Sequence, residues 1–280
     1  MIRILSRPLL EDAALSRTPL VVVLLAALAL GLPGLAAASS GGAGARSPTG
    51  YDISFPQCGG PFPTNVLFGI VGVNNGIVFS ANPCLGAGDG PSELAWAEQY
   101  EPAAILYANT ADPGPALSSH WPTGQTAPQY CDGSDSIACS YDYGWNAAAD
   151  SYRDAVKAYI SLGKLPAGAT QTPQPNQWWL DVESANSWES NTANNVAALQ
   201  GEVAYLQSQG ASSVGFYATA SDWQTITGGT TVFSSYSSWR RGIGGRITAQ
   251  SYCGTTGVTG GPIEYSQYRS SGFDADVRCF

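Results

Sequence analysis

Five short apolar runs alternating with helical patterns set the tightest limit on what this chain can fold into. The runs are Tyr51–Phe55, Phe68–Val73, Ala103–Ala108, Trp178–Val182 and Val214–Ala218. Helical patterns cover Ser92–Tyr100, Asp142–Leu162 and Asn194–Gln207. In the first, Ser92 is the N-cap and Glu93 sits in the first turn; in the second, Tyr152, Val156, Tyr159 and Ile160 share one side. Strand and helix alternate through residue 226, which argues for parallel βαβ units. From Gly228 the pattern changes. Strand-like runs at Ser235–Trp239, Ile247–Tyr252 and Ile263–Tyr268 are separated by Gly-rich spaces too short for crossover helices. Five βα units followed by three closely spaced strands predict an α/β fold, a TIM-like barrel of eight strands whose last helices are lost. Barrels of this kind carry their catalytic groups at the C-terminal ends of the strands.

The N-terminus reads as a targeting segment. Arg3, Arg7 and Arg17 precede an apolar run from Leu20 to Leu32, and Ala36-Ala37-Ala38 supplies small residues for cleavage. Residues 1–38 are therefore expected to be a signal peptide; Glu11 and Asp12 in its long n-region leave an uncleaved anchor as the alternative. The apolar run is short of the roughly 20 residues that a span needs, so no stable membrane insertion is expected after cleavage. Residues 39–50 have the composition of a flexible linker. Tyr51 to Phe280, 230 residues, is then a single barrel-sized domain.

Charged residues make up only 12% of the chain while Trp and Tyr are plentiful, which suits an exported globular domain. The chain carries −9, and residues 1–38 hold three Arg against two acids, so the remainder carries about −10. Nucleic acid, whose binding needs Lys and Arg to displace counterions, is excluded as a partner. Oligomeric state is not legible. Cys58, Cys84, Cys131, Cys139, Cys253 and Cys279 are even in number and read as disulfides in an exported chain. Six cysteines allow 15 pairings; proximity in sequence favours 58–84, 131–139 and 253–279. The rival reading, a metal site, lacks Cys-x-x-Cys spacing and has a single histidine, His120, in a loop between Ser119 and Trp121. No metal and no cofactor are expected, and a Ser-His-Asp or Cys-His mechanism is closed unless His120 serves it.

The chemistry is concentrated in Gln177-Trp178-Trp179-Leu180-Asp181-Val182-Glu183-Ser184. On an extended backbone residues i and i+2 face one way, so Asp181 and Glu183 project together where the strand stops. Paired carboxylates against an apolar wall raise one another's pKa, so that one holds a proton while the other stays ionised, as cleavage of a glycosidic bond requires. The alternative is a helix-capping Asp181 and a solvated Glu183. Asp52, Asn74, Asn109 and Tyr217 fall near the same ends of other predicted strands, and this agreement favours a site. Asn74 has a second reading as a turn residue before Gly76. Trp178, Trp179, Tyr217 and Trp239 have one as core. Trp188, in the predicted loop after the acidic pair, is the candidate to stack on a sugar ring.

These pieces resemble the glycoside hydrolase family 25 lysozymes, cell-wall muramidases built on a barrel of five βα units and three further strands. The matching residues are Tyr51-Asp52-Ile53-Ser54, Leu180-Asp181-Val182-Glu183, Val214-Gly215-Phe216-Tyr217, Glu264-Tyr265-Ser266-Gln267-Tyr268 and Phe273-Asp274-Ala275-Asp276. The resemblance implies Glu183 as general acid, with Asp181 stabilising the developing positive charge or orienting an N-acetyl group. It also implies that Asp52 and Asp274 line the cleft, supported by Gln267 and Tyr217, with Asp276 where the family carries Asn. Asp274 and Asp276 have a structural alternative beside Cys279. Strand two departs from the family, ending in Val73-Asn74-Asn75-Gly76 in place of a Lys-Ala-Thr-Glu-Gly. The chain also resembles actinobacterial exported glycoside-hydrolase-like domains. Two functions follow as expectations. One is a secreted hydrolase acting on peptidoglycan or a related N-acetylhexosamine polysaccharide. The other is a non-catalytic cell-wall-binding domain on a degenerate barrel.

Overall fold

The computed structural model describes residues 49–242 and 244–280. The expected signal peptide lies outside the described residues, as does the linker through residue 48.

Eight strands close into one barrel in chain order: β1 (Thr49–Ile53), β2 (Val66–Gly72), β3 (Ile105–Asn109), β4 (Gln177–Asp181), β5 (Ser213–Ala218), β6 (Ser238–Arg240), β7 (Ile263–Ser270) and β8 (Phe273–Arg278). The first seven pair in parallel, and β8 runs antiparallel to both β7 and β1. Helices α1 (Glu93–Ala97), α2 (Ile137–Ser161), α3 (Thr192–Ser208) and α4 (Ala220–Thr227) follow β2 to β5, and α5 (Arg246–Ser251) lies between β6 and β7. No described helix is long and apolar enough to cross a membrane.

Side-chain alternation along β4 sorts the core. Trp179 packs inside the barrel with Phe68, Ile70, Ile105, Tyr217, Trp239 and Tyr265. Trp178, Leu180 and Val182 face outward under the helices. The aromatic residues that had a second reading as core are therefore core. Asp181 shares its face with Trp179, at the point where the barrel filling stops and the mouth begins. On the outside, α2 and α3 meet at two glycines. A Cβ on Gly144 would lie 1.9 Å from the Ala198 carbonyl oxygen, and one on Gly201 2.0 Å from that of Tyr141.

Several boundaries differ from expectation. Thr49 and Gly50, assigned to the linker, are buried in β1. Ser136 caps α2 by accepting from the Cys139 amide, so that helix starts before Asp142. The predicted strand Ile247–Tyr252 is instead α5. Ile247 is 84% exposed there and only Ala249 is buried, so its apolar letters do not mark a core face. The eighth strand is β8, which forms a hairpin with β7 through Ser271 and Gly272, both at positive φ (54° and 87°), as a two-residue turn that follows strand twist requires. Its alternation is inverted: acids occupy the positions facing the barrel, which hid it from a search for apolar runs.

All three disulfides form in the expected pairs, Cys58–Cys84, Cys131–Cys139 and Cys253–Cys279. The first ties the turn after β1 to the segment before α1, the second pins the long β3–α2 loop, and the third anchors the end of β8 to the end of α5.

Candidate active site

A cleft of about 470 Å³ opens at the C-terminal ends of the parallel strands, lined among others by Asp52, Asp181, Glu183 and Asp274. The parallel strands bring Asp52, Asp181 and Glu183 there at their ends. Antiparallel β8 brings Asp274 at its beginning, with its Cα paired to that of Asp52. Four carboxylates thus converge from three strands and the turn after β4.

That turn is held by its own backbone oxygens. The Thr110 hydroxyl donates to the Asp181 carbonyl at 2.6 Å and Asn186 Nδ2 donates to the same oxygen at 3.3 Å. The Trp188 indole N–H donates to the Glu183 carbonyl at 2.8 Å. Ser184 donates through its hydroxyl to Asp222 at 2.5 Å. Trp188, expected as a sugar platform, is half-buried against the core and absent from the cleft lining. It pins the loop that carries Glu183.

The other expected polar residues divide into cleft and support. Tyr217 lines the cleft and donates its hydroxyl to Gln267 Oε1 at 2.9 Å, while Gln267 Nε2 donates to Asp52 Oδ2 at 3.1 Å. Asn109 lies behind the cleft and donates from Nδ2 to Asp181 Oδ2 at 2.8 Å. Asn74, expected to bind substrate, is 1% exposed; it accepts from the Asn109 amide at 2.8 Å and donates to Ser151. Burial withdraws it from any ligand and makes it a brace. Asp276 is likewise 2% exposed, accepting from the Trp239 indole at 2.8 Å beneath the mouth. His120 is exposed and stacks on Phe79, ring centroids 4.2 Å apart.

Electrostatics separates the acids. Burial, then the charge of Asp274, pushes Asp52 up to about 7, with the Gln267 hydrogen bond opposing. Asp181 rises well above the carboxylate range through burial, reinforced by Glu183. Burial, then the charge of Asp52, does the same to Asp276. Glu183 is also raised, by burial first, but Arg241 opposes the rise by donating Nη1 to Oε1 at 2.8 Å. With Glu183 paired to a guanidinium and Asp181 sealed at 6% exposure, the resting cleft favours the proton on Asp181 and the charge on Glu183. Among the described residues, no group of three or more His, Cys, Asp and Glu is arranged to hold a metal ion.

Arg241, Arg269 and Tyr107 line the cleft and were missed in the sequence. Arg241 had a signal: it directly follows Trp239-Arg240, at the mouth end of β6, where the strand-end rule applies equally to a base. Arg269 pairs with Asp274 across the β7–β8 hairpin at 3.2 Å.

A family model described as "Lys-1: Lysozyme-like protein 1" matches residues 167–245. Two proteins of Dictyostelium discoideum, described as probable GH family 25 lysozymes 4 and 2, are 43% and 41% identical over 61 residues, or 22% of this chain. The chain spans 28% of the length of these curated relatives. Among solved structures, the bacterial lysozyme of Streptomyces coelicolor aligns at 16% identity and TM-score 0.47, covering 84% of this chain and 93% of that one. A muramidase of Trichobolus zukalii aligns at 17% and 0.47, covering 82% and 93%. The barrel itself follows from the strand pairing. The segment 167–245, which carries Asp181, Glu183, Tyr217 and Arg241, is lysozyme-like in sequence.

Proposed function

We propose that the protein is an exported glycoside hydrolase that cuts glycosidic bonds of peptidoglycan, or of a related N-acetylhexosamine polysaccharide, by carboxylate acid catalysis. The observation that carries this is the convergence of Asp52, Asp181, Glu183 and Asp274 on one open cleft. A cleft holding that many acids beside the rings of Tyr107, Tyr217 and Trp239 suits a hydroxyl-rich ligand and a cationic transition state. Three disulfides support an oxidising, extracellular setting.

Of the adjacent pair Asp181 and Glu183, Glu183 is the reachable acid, with its side chain 24% exposed. It protonates the leaving glycosidic oxygen. Asp181 sits deeper, oriented by Asn109, and its role is to stabilise the positive charge that develops on the sugar or to orient an N-acetyl group. Once Glu183 carries the proton, Asp181 is the acid that supplies negative charge, worth most where water is excluded. Asp52, fixed by the Tyr217–Gln267 relay, and Asp274 complete the acidic floor.

The test is hydrolysis of purified peptidoglycan by wild type, Glu183→Gln and Asp181→Asn, followed as released reducing ends. Loss of a general acid costs on the order of 100- to 10,000-fold in rate, so Glu183→Gln should lose that much while melting near wild type. Asp181→Asn should lose turnover as well. Equal hydrolysis by all three proteins overturns the assignment. Absent hydrolysis in wild type, with firm binding to cell wall, leaves a binding domain.

A further inference from the structure

The resting ion pair sets a problem for the acid it involves. Glu183 faces Arg241 after β6, Asp222 in α4, Asp274 at the start of β8, and Asp181 and Tyr217 on the neighbouring strand ends. Only Arg241 among these is a cation, and it contacts the carboxylate directly. A carboxylate held this way is a poor proton donor. Something has to draw the guanidinium off before Glu183 can act.

The surroundings of Arg241 supply the means. Its side chain is 50% exposed at the cleft rim, so the guanidinium swings without unpacking a core. It engages Glu183 through Nη1, and a guanidinium offers five N–H donors in a planar fork that matches a carboxylate. Arg269, with its side chain 72% exposed, lines the same cleft. The chain holds only 12 Lys and Arg in 280 residues, and two of them stand over its acidic floor. The acidic floor disfavours an anionic ligand, whereas the two guanidiniums at the rim offer one a contact.

We propose that Arg241 is the specificity-determining residue of the cleft, a displaceable counter-ion that leaves Glu183 to bind a carboxylate carried by the substrate sugar. The proposal rests on the glycosidase reading above and adds its trigger. As Arg241 moves to the substrate carboxylate, the proton held by Asp181 passes to Glu183, which leaves Asp181 ionised and the charge of the pair unchanged, and Glu183 then delivers that proton to the glycosidic oxygen. A glycan without the carboxylate leaves the resting ion pair intact and is cut slowly.

The test uses glycan strands bearing free carboxylates and the same strands with those groups converted to amides. In binding, Glu183→Gln frees Arg241 and should prefer the carboxylate strand by about 10- to 100-fold, the range of one charge-assisted contact. The Glu183→Gln, Arg241→Ala double variant should bind both strands alike. In hydrolysis, wild type should show the same preference in kcat/KM and Arg241→Ala should lose it. Arg241→Ala should also carry the alkaline limb of its pH profile to higher pH, because removing the cation raises the Glu183 pKa. A purely structural Arg241 would move the melting temperature and neither of these. Equal preference with and without Arg241, or an unmoved alkaline limb, overturns the proposal. Carboxylate-selective binding without hydrolysis by wild type rejects the glycosidase reading and the proton step while keeping the anion contact. Hydrolysis without selectivity rejects the Arg241 role alone.

Discussion

Glu93 gives the cleanest measure of how this fold handles buried acids, because it lies away from the cleft. It starts α1 and is 0% exposed. Its Oε2 accepts from Asn82 at 2.6 Å, and its Oε1 is buried without a partner among the described residues. Burial pushes its pKa up to about 7 from an ordinary 4.5. The folded protein therefore holds a proton that the unfolded chain releases. The stability this confers is complete below the unfolded value and is lost as pH rises through about 7. Integrating between pH 5 and pH 8 gives a loss of roughly 2.5 kcal/mol. Glu93→Gln keeps the shape and removes the titration. Its own cost, an amide N–H lacking a partner, does not depend on pH and cancels when the two conditions are compared. Relative to wild type, the variant should thus gain roughly 2.5 kcal/mol between pH 5 and pH 8, or about 5–10 °C in melting temperature for a domain of this size. Denaturant unfolding of both proteins at the two pH values measures it. A constant difference between variant and wild type would refute the reasoning.

Three further outcomes follow from the same structure. Wild-type melting temperature should climb as pH falls from 8 to 5, since the folded state also holds Asp52 and Asp112 up near 7; a flat or falling profile contradicts those assignments. Gly144→Ala should destabilise by about 2 kcal/mol, because overpacking against the Ala198 carbonyl outweighs the gain in helix propensity, as thermal melts would show. Replacing Cys253 and Cys279 by Ser should cost about 3.5 kcal/mol from the 26-residue separation they close, while the Cys58–Cys84 and Cys131–Cys139 bridges remain mapped by non-reducing digestion.

Most of the barrel was legible because strands β2 to β5 are buried on both faces and so appear as unbroken apolar runs, and because cysteines close in sequence met in space. The acid pair was legible for a similar reason. Asp181 and Glu183 break the apolar run of β4 where the barrel filling ends, and the period of two puts them on one face. What stayed hidden were residues whose role depends on distant partners. Arg241 gains meaning only beside Glu183, 58 positions earlier. Asn74 looked like a ligand contact until its hydrogen bonds to Asn109 and Ser151 used it as a brace. Trp188 sat in a predicted loop, and a loop tryptophan reads the same whether its ring faces a sugar or, as here, its N–H holds a backbone carbonyl. β8 escaped because its inward positions are acids, a reversal that only the mouth of a polar barrel tolerates.

Closing the barrel on an antiparallel strand has a kinetic consequence. The β1–β8 seam joins the two ends of the described chain, the contact with the longest loop to close, and such contacts form late. That seam sets Asp52 against Asp274 and buries Asp276 beside them. Asp52, distant in the open chain from Asp274 and Asp276, is thus brought against them when the seam closes, and their raised affinities for protons appear with it. Refolding accordingly absorbs protons at its end, and it runs faster in mild acid than in base. Acids that are charged in the open chain thus become neutral as the seam shuts, and the floor of the cleft is completed with protons on it.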